Sequence, residues 1–380
     1  MKRKILLVTE RRADYTKLRP ILEEISKSKK LQYRLIVTGS HLLKESGLTI
    51  NEIKSDGFKI TKTFSMFKKR RKDTGTEMTR SFGRAILNLS NIIEKIKPDI
   101  ILTGFDIGAN FAAAIIGAHA NIIVAHVEGG EVTGTIDESI RHAMTKFAHI
   151  HFTSNQDATN RLIKMGELPN CIFTVGNTSL DGIKNLKKIS KHDLEKKYDL
   201  DLNKPLVIIL QHTVTSEIGT IKKNMLQTIN AVKELNIQSI IIYGNTDTGS
   251  QKITKIIKNS KIKQYKTIPY RDYIGLLKHA SALVGNSSSG IIEAPYLHVP
   301  SINVGTRQDG RLQAESIIDV RYNKNEIKKA INKCISNPSF LKNVKTCKSL
   351  YGNGDSAKKL VKILEDINLA KISIQKKMTY

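Results

Sequence analysis

Residues 98–130 read PDIILTGFDIGANFAAAIIGAHANIIVAHVEGG, and the fold follows from how this stretch is punctuated. Residues 100–103 and 122–126 are short, continuous apolar runs rich in β-branched side chains, the pattern of strands buried on both faces of a parallel sheet. A helical pattern separates them. The most apolar window, residues 112–127, is broken by His119, Asn121 and His126 and falls short of the roughly 18 to 20 uninterrupted apolar residues that span a bilayer.

Working outward, the same alternation recurs at residues 5–9 and 35–38 on one side and 151–153 and 172–175 on the other. A lysine-rich stretch at 184–204 ends at Pro205, and the alternation restarts at 206–210, 239–243, 265–268, 282–285 and 302–304. The expectation is an α/β protein of two Rossmann-like, doubly wound domains with an interdomain cleft. The domains are expected at residues 1–178 and 179–355. Residues 356–380 follow, with a helix predicted over 356–368 whose Leu360, Val361 and Leu364 share one face and pack back on the N-terminal domain. A chain of 380 residues is long enough for two such cores.

Composition narrows the function classes. Hydrophobic residues make up 40% and charged residues 26%, as in globular proteins. Lys2, Arg3 and Lys4 precede an apolar run of residues 5–8 only, too short for a signal-peptide core, so a cytoplasmic location is expected. Cys171, Cys334 and Cys347 are far apart and form no CxxC pair, which suits a reducing compartment and gives no zinc motif. The net charge of +27 is spread along the chain, densest at 68–72 and 184–197, without interleaved aromatics for base stacking. It is read as a solvated surface that also steers an anionic small substrate, with no nucleic-acid and no membrane partner.

In open parallel sheets ligands bind outside the carboxyl ends of the strands, so chemistry is sought in the loops that follow them. After the first strand, Arg11 and Arg12 enter a helix start that favours an anion such as phosphate. No GxxxxGK[ST] or GxGxxG fingerprint accompanies it. Residues 126–149, HVEGGEVTGTIDESIRHAMTKFAH, follow a buried strand; Thr135 and Glu138 form a capping box that predicts a helix from Ile136. Ile136, Ile140, Ala143, Met144 and Phe147 make its buried stripe, while Asp137 and Arg141, four apart, are placed to orient each other. Glu128 at a strand end, Asp137 at the helix start and Asp106 after the preceding strand read either as an acidic cluster of helix starts or as carboxylates for proton transfer at carbon. His212 ends a strand in the second half and reads as a core-edge histidine or a ligand to phosphate or a sugar hydroxyl. Residues 285–290, GNSSSG, open a helix at 291–294; Ser287 and Ser288 would cradle phosphate and Glu293 would accept ribose hydroxyls. Arg307 and Arg311 add cations on the same edge.

Together these residues resemble the hydrolysing UDP-N-acetylglucosamine 2-epimerases of sialic- and legionaminic-acid biosynthesis. The likeness runs over nearly the whole chain and rests on Arg12-Ala13-Asp14-Tyr15, Thr38-Gly39-Ser40-His41-Leu42, residues 126–149, Gln211-His212-Thr213-Val214-Thr215, Gly285-Asn286-Ser287-Ser288 and Gly305-Thr306-Arg307-Gln308. It implies the glycosyltransferase-B type of fold, a UDP-linked 2-acetamido sugar as substrate, no metal, no cofactor and a homo-oligomer, dimer or tetramer. It implies Asp106, Glu128 and Asp137 as catalytic carboxylates with His212 at the substrate. Arg12, Ser287, Ser288, Glu293 and Arg307 match UDP-binding positions, joined by Lys17 and Asn245; Arg141 and Arg311 are further expected contacts. The chain departs from the family at Phe105-Asp106-Ile107, where Gly-Asp-Arg is usual, and at Thr213, often proline. The implied reaction removes the C2 proton as UDP leaves C1, giving a 2-acetamidoglucal that water then converts to the C2-inverted free sugar. A non-hydrolysing 2-epimerase, a glycosyltransferase of the same fold, and a noncatalytic nucleotide-sugar sensor are the alternatives.

Overall fold

A computed structural model describes residues 2–68, 72–106, 108–377 and 379. Residues 69–71 of the basic patch and Ile107 lie outside the described residues. Contacts divide the chain into two compact units. The first comprises Met1–Glu131, Ile136–Lys184 and Tyr351–Tyr380, and the second Val132–Thr135 and Asn185–Leu350.

The first unit holds a sheet of β1 (Arg3–Thr9), β2 (Leu31–Val37), β3 (Ile60–Thr63), β4 (Ile100–Gly104), β5 (Ile123–Val127), β6 (Ile150–Thr153) and β7 (Ile172–Thr174). Their order is β3-β2-β1-β4-β5-β6-β7, and every pair is parallel. β4 and β5 are buried along their whole length, as their unbroken apolar runs require. The helix Arg12–Lys27 covers one face with Leu18, Ile21, Leu22 and Ile25. Helix Ser356–Asp366 adds Leu360, Val361 and Leu364 to the same core.

The second unit repeats the plan with β8 (Leu206–Leu210), β9 (Gln238–Ile242), β10 (Lys263–Tyr265), β11 (Ala282–Gly285), β12 (Ser301–Val304) and β13 (Ile317–Val320). The order is β10-β9-β8-β11-β12-β13, again all parallel. Each sheet therefore reverses direction once, between β1 and β4 and between β8 and β11, and those points open a crevice at the strands' carboxyl ends. A glycine makes the turn at each. A Cβ on Gly104 (φ 156°) would stand 2.5 Å from the Val127 carbonyl oxygen, and one on Gly285 (φ 137°) 2.2 Å from that of Leu210. Glycine alone fits such an approach. No helix among the described residues is long and apolar enough to cross a membrane.

Three sequence expectations change. The strand expected at 265–268 ends at Tyr265, because the chain turns at Pro269 into helix Tyr270–His279. The helix expected at 291–294 is a single turn, Glu293–Tyr296, after the 3₁₀ turn Ser288–Gly290. Helix Ile136–Phe147 begins where its capping box predicts, yet Ile136 is 54% exposed, so the buried stripe starts further along, at Met144.

Candidate active site

In the first unit the chain leaves β4 through Phe105 (φ 62°) and Asp106 (φ 56°), and leaves β5 through Glu128 (φ 62°). These are left-handed conformations that side-chain-bearing residues adopt at a cost of about 1 to 2 kcal/mol each. Two of the three candidate carboxylates thus stand on strained backbone at the carboxyl ends of adjacent parallel strands.

Each of those two has a cation. Arg141 donates to Asp106 through one terminal nitrogen and to the Glu131 carbonyl, at 2.8 Å, through the other. Its side chain is 0% exposed and that of Asp106 12%. The expected pairing of Asp137 with Arg141 is therefore replaced: Arg141 reaches past its own helix to a residue on a neighbouring strand. Its guanidinium is fully buried against Asp106. Burial opposes its charge, but the Asp106 carboxylate outweighs that and leaves the guanidinium above its usual range. Lys17, expected at the nucleotide, lies 2.7 Å from the Glu128 carboxylate and 5.7 Å from the Phe105 ring centre. Asn177 donates to the other Glu128 oxygen at 2.7 Å, its own amide oxygen held by the backbone and hydroxyl of Ser179. Asp137 sits half-buried in the first turn of helix Ile136–Phe147.

The anion site expected at the first helix start is partly filled by the protein itself. Asp14 accepts from the Glu10 and Arg11 amides at 2.9 and 2.8 Å, and its burial lifts the carboxyl to about 6 despite those bonds. Glu10 in turn caps helix Gly108–His119 by accepting from the Ala109 amide at 2.9 Å. Arg12, half-buried on the first turn, remains on this edge.

In the second unit Asn286 joins the two strands at the reversal point. It donates to the His212 carbonyl at 3.0 Å and accepts from the His212 amide at 2.6 Å. The Asn245 amide donates to His212 Nδ1 at 3.1 Å, which leaves the ring proton on Nε2. Arg307 and Gln308 both donate to the Asn286 carbonyl, at 3.2 and 2.8 Å. Arg311 donates to Val132 O at 2.9 Å, and the Arg307 carbonyl accepts from the Gly134 amide at 3.0 Å. Ser287 and Ser288 are half-exposed beside the buried Glu293. Because helix Glu293–Tyr296 has one turn, its dipole is small. Sequence reasoning missed Asn177 and Asn286 as organisers, although Asn177 lies in a Gly-Asn-Thr turn after β7 and Asn286 inside the GNSSSG stretch.

Comparison with known proteins identifies the family and the fold. A family model described as UDP-N-acetylglucosamine 2-epimerase matches residues 23–365. A UDP-N,N'-diacetylbacillosamine 2-epimerase (hydrolyzing) of Legionella pneumophila is 33% identical over 373 residues, covering 97% of each chain. A GDP/UDP-N,N'-diacetylbacillosamine 2-epimerase (hydrolyzing) of Campylobacter jejuni is 35% identical over 330 residues, 85% of each. Among solved structures, the UDP-GlcNAc 2-epimerase of Neisseria meningitidis bound to UDP-GlcNAc superposes with a TM-score of 0.81 at 20% identity, covering 95% of this chain and 99% of that one. The two parallel sheets and these superpositions establish the two-domain α/β fold of the glycosyltransferase-B type, and the sequence matches establish that the chain belongs to the UDP-N-acetylglucosamine 2-epimerase family.

Proposed function

We propose that this chain is a hydrolysing 2-epimerase, converting a UDP-linked 2-acetamido sugar and water to UDP and the free C2-inverted sugar. The observation that carries the reading is the pair of cation-held carboxylates, Asp106 with Arg141 and Glu128 with Lys17, at adjacent strand ends, with Asp137 opening the next helix. Asp106, Glu128 and Asp137 divide proton removal and return. In the first step the C2–H bond and the C1–O bond break, the C1–C2 double bond forms, and UDP leaves with the electron pair. In the second, water oxygen adds at C1 and a proton returns to C2 on the opposite face. His212, Asn245, Ser287, Ser288, Glu293, Arg307 and Arg311 hold the nucleotide and its departing charge, with Arg12 as a further cation. The hydrolysing relatives from Legionella and Campylobacter support release of free sugar over a reversible epimerisation. Three unpaired cysteines accord with a cytoplasmic reaction, carried out by a homo-oligomer.

The test incubates the protein with UDP-N-acetylglucosamine and 2,4-diacetamido analogues in deuterated water containing a chelator, with products followed by NMR. UDP and a free C2-inverted sugar deuterated at C2 are expected. Retained C2 hydrogen, or a product still linked to UDP, would overturn the reading. So would activity that chelator abolishes and a divalent cation restores.

A further inference from the structure

Helix Ile136–Phe147 carries Asp137 in its first turn and Arg141 in its middle, and its far end is fastened by the end of the chain. Lys376 Nζ donates to the Thr145 carbonyl at 2.8 Å and to Glu167 Oε2 at 2.5 Å. The Glu167 side chain is 2% exposed and also takes Lys146 on Oε1 at 2.9 Å and His151 Nε2 at 3.1 Å. Two residues earlier in the tail, the Ile374 carbonyl accepts from His149 Nε2 at 3.0 Å, while His149 Nδ1 accepts from the Val124 amide. The tail is therefore held at two points, one of them a buried carboxylate on whose Oε2 Lys376 joins His151.

Thr145 relays the contact inward. Its hydroxyl donates to the Arg141 carbonyl at 3.2 Å and meets His126 Nδ1 at 3.3 Å, and His126 stands two residues before Glu128 on β5. A cation on the last carbonyls of a helix satisfies acceptors that have no partner within it and favours its negative end. Burial alone would raise the Glu167 carboxyl, yet His151 and Lys376 hold it at about 2, while burial lowers the Lys376 ammonium against the opposing pull of Glu167. Lys376 lies beyond residue 365, where the family model's match stops.

We infer that Lys376 is a positioning residue for the carboxylate centre: by fixing the last turn of helix Ile136–Phe147 it sets where Arg141, and through it Asp106, stands. The activity arm of the test rests on the function proposed above; the structural arm does not.

Lys376→Met and Lys376→Arg are made in the full-length chain. Amide exchange is read over residues 136–147 and, as a reference, over Leu206–Leu210; UDP affinity is read by calorimetry and turnover with UDP-N-acetylglucosamine. In Lys376→Met, exchange over 136–147 accelerates while the reference strand is unchanged. Its kcat falls about 10-fold or more while the Kd for UDP stays within about 2-fold, because a small displacement of a reacting group acts on turnover before binding. Lys376→Arg restores most of the loss. Should Lys376→Met fail to fold, Lys376→Gln, which keeps a donor for the Thr145 carbonyl without the charge, is read in the same way. Unchanged exchange and turnover, or equal losses of turnover and UDP affinity that arginine does not rescue, would overturn the inference. A wild-type protein inactive on every nucleotide sugar sinks the proposed function instead, and the exchange arm then decides whether Lys376 fixes the helix.

Discussion

Arg141→Met removes the cation from a pair that the fold buries almost completely, with side-chain exposures of 0% for Arg141 and 12% for Asp106. Breaking one partner of a buried pair costs about 3 to 5 kcal/mol, because the surviving charge is left uncompensated. Loss of the 2.8 Å bond to the Glu131 carbonyl adds about 1 kcal/mol. The single variant should therefore lose about 4 to 6 kcal/mol. In the double variant Asp106→Asn with Arg141→Met no charge remains, methionine fills part of the guanidinium's volume, and about 1 to 3 kcal/mol should be lost. Asp106→Asn alone leaves the fully buried Arg141 uncompensated and should cost about 3 to 5 kcal/mol, so the completed cycle should give a coupling energy of at least about 4 kcal/mol between the two sites. The chain has no tryptophan, so urea unfolding of the four proteins is followed by far-UV circular dichroism in one buffer. A coupling below about 0.5 kcal/mol, the size of an ordinary surface pair, would refute the argument that this pair is held by buried charge.

Asp106→Asn, Glu128→Gln and Asp137→Asn should each lower turnover about 100-fold or more while keeping measurable UDP affinity, as steady-state kinetics and calorimetry will show; near wild-type turnover in any one makes that residue structural. Arg307→Ala should weaken UDP binding by about 1.5 to 3 kcal/mol in calorimetry, and unchanged affinity would place the nucleotide elsewhere. Gly285→Ala should destabilise by more than about 3 kcal/mol or prevent folding, since its Cβ would lie 2.2 Å from a carbonyl oxygen of the adjacent strand, and a normal thermal melt would contradict that geometry. Glu167, held at about 2 against an ordinary value of 4.5, is a lowered carboxylate. Its contribution, on the order of 3 kcal/mol, is present above pH 4.5 and is lost as pH falls toward 2; Glu167→Gln should flatten the loss of stability in that window in a pH series of urea melts.

The central strands were legible because both their faces are buried and their sequences carry little else than apolar residues: β1, β4, β5, β8 and β11 all fall where their runs lie. Two edge strands, β3 and β13, were not. β3 is Ile60-Thr61-Lys62-Thr63 with three residues exposed, and β13 carries Asp319, so neither shows an apolar run. The candidate carboxylates stood out because each follows a strand or opens a helix, a local property. Their partners are long-range: Lys17 and Asn177 reach Glu128 across 111 and 49 residues, and Arg141 reaches Asp106 across 35. Reading Arg141 from helix spacing alone paired it with Asp137, since periodicity knows only neighbours on the same helix. The short helix at Glu293 shows the reverse limit: the serine-rich start placed it at 291–294, whereas a 3₁₀ turn comes first and the helix begins two residues later.

The left-handed backbone at Asp106 and Glu128 has a consequence for engineering. Glycine would relieve about 1 to 2 kcal/mol of strain at either position, yet it would also leave Arg141 or Lys17 without its carboxylate, and for the fully buried Arg141 that costs about 3 to 5 kcal/mol. A selection scored only on survival after heating would therefore keep Asp106 rather than shed it, because the buried cation makes the carboxylate necessary to the fold whether or not the protein turns over. Only an exchange that neutralises both partners at once would separate the two demands, so libraries of this protein should vary Asp106 and Arg141 together and be read for heat resistance and activity in parallel.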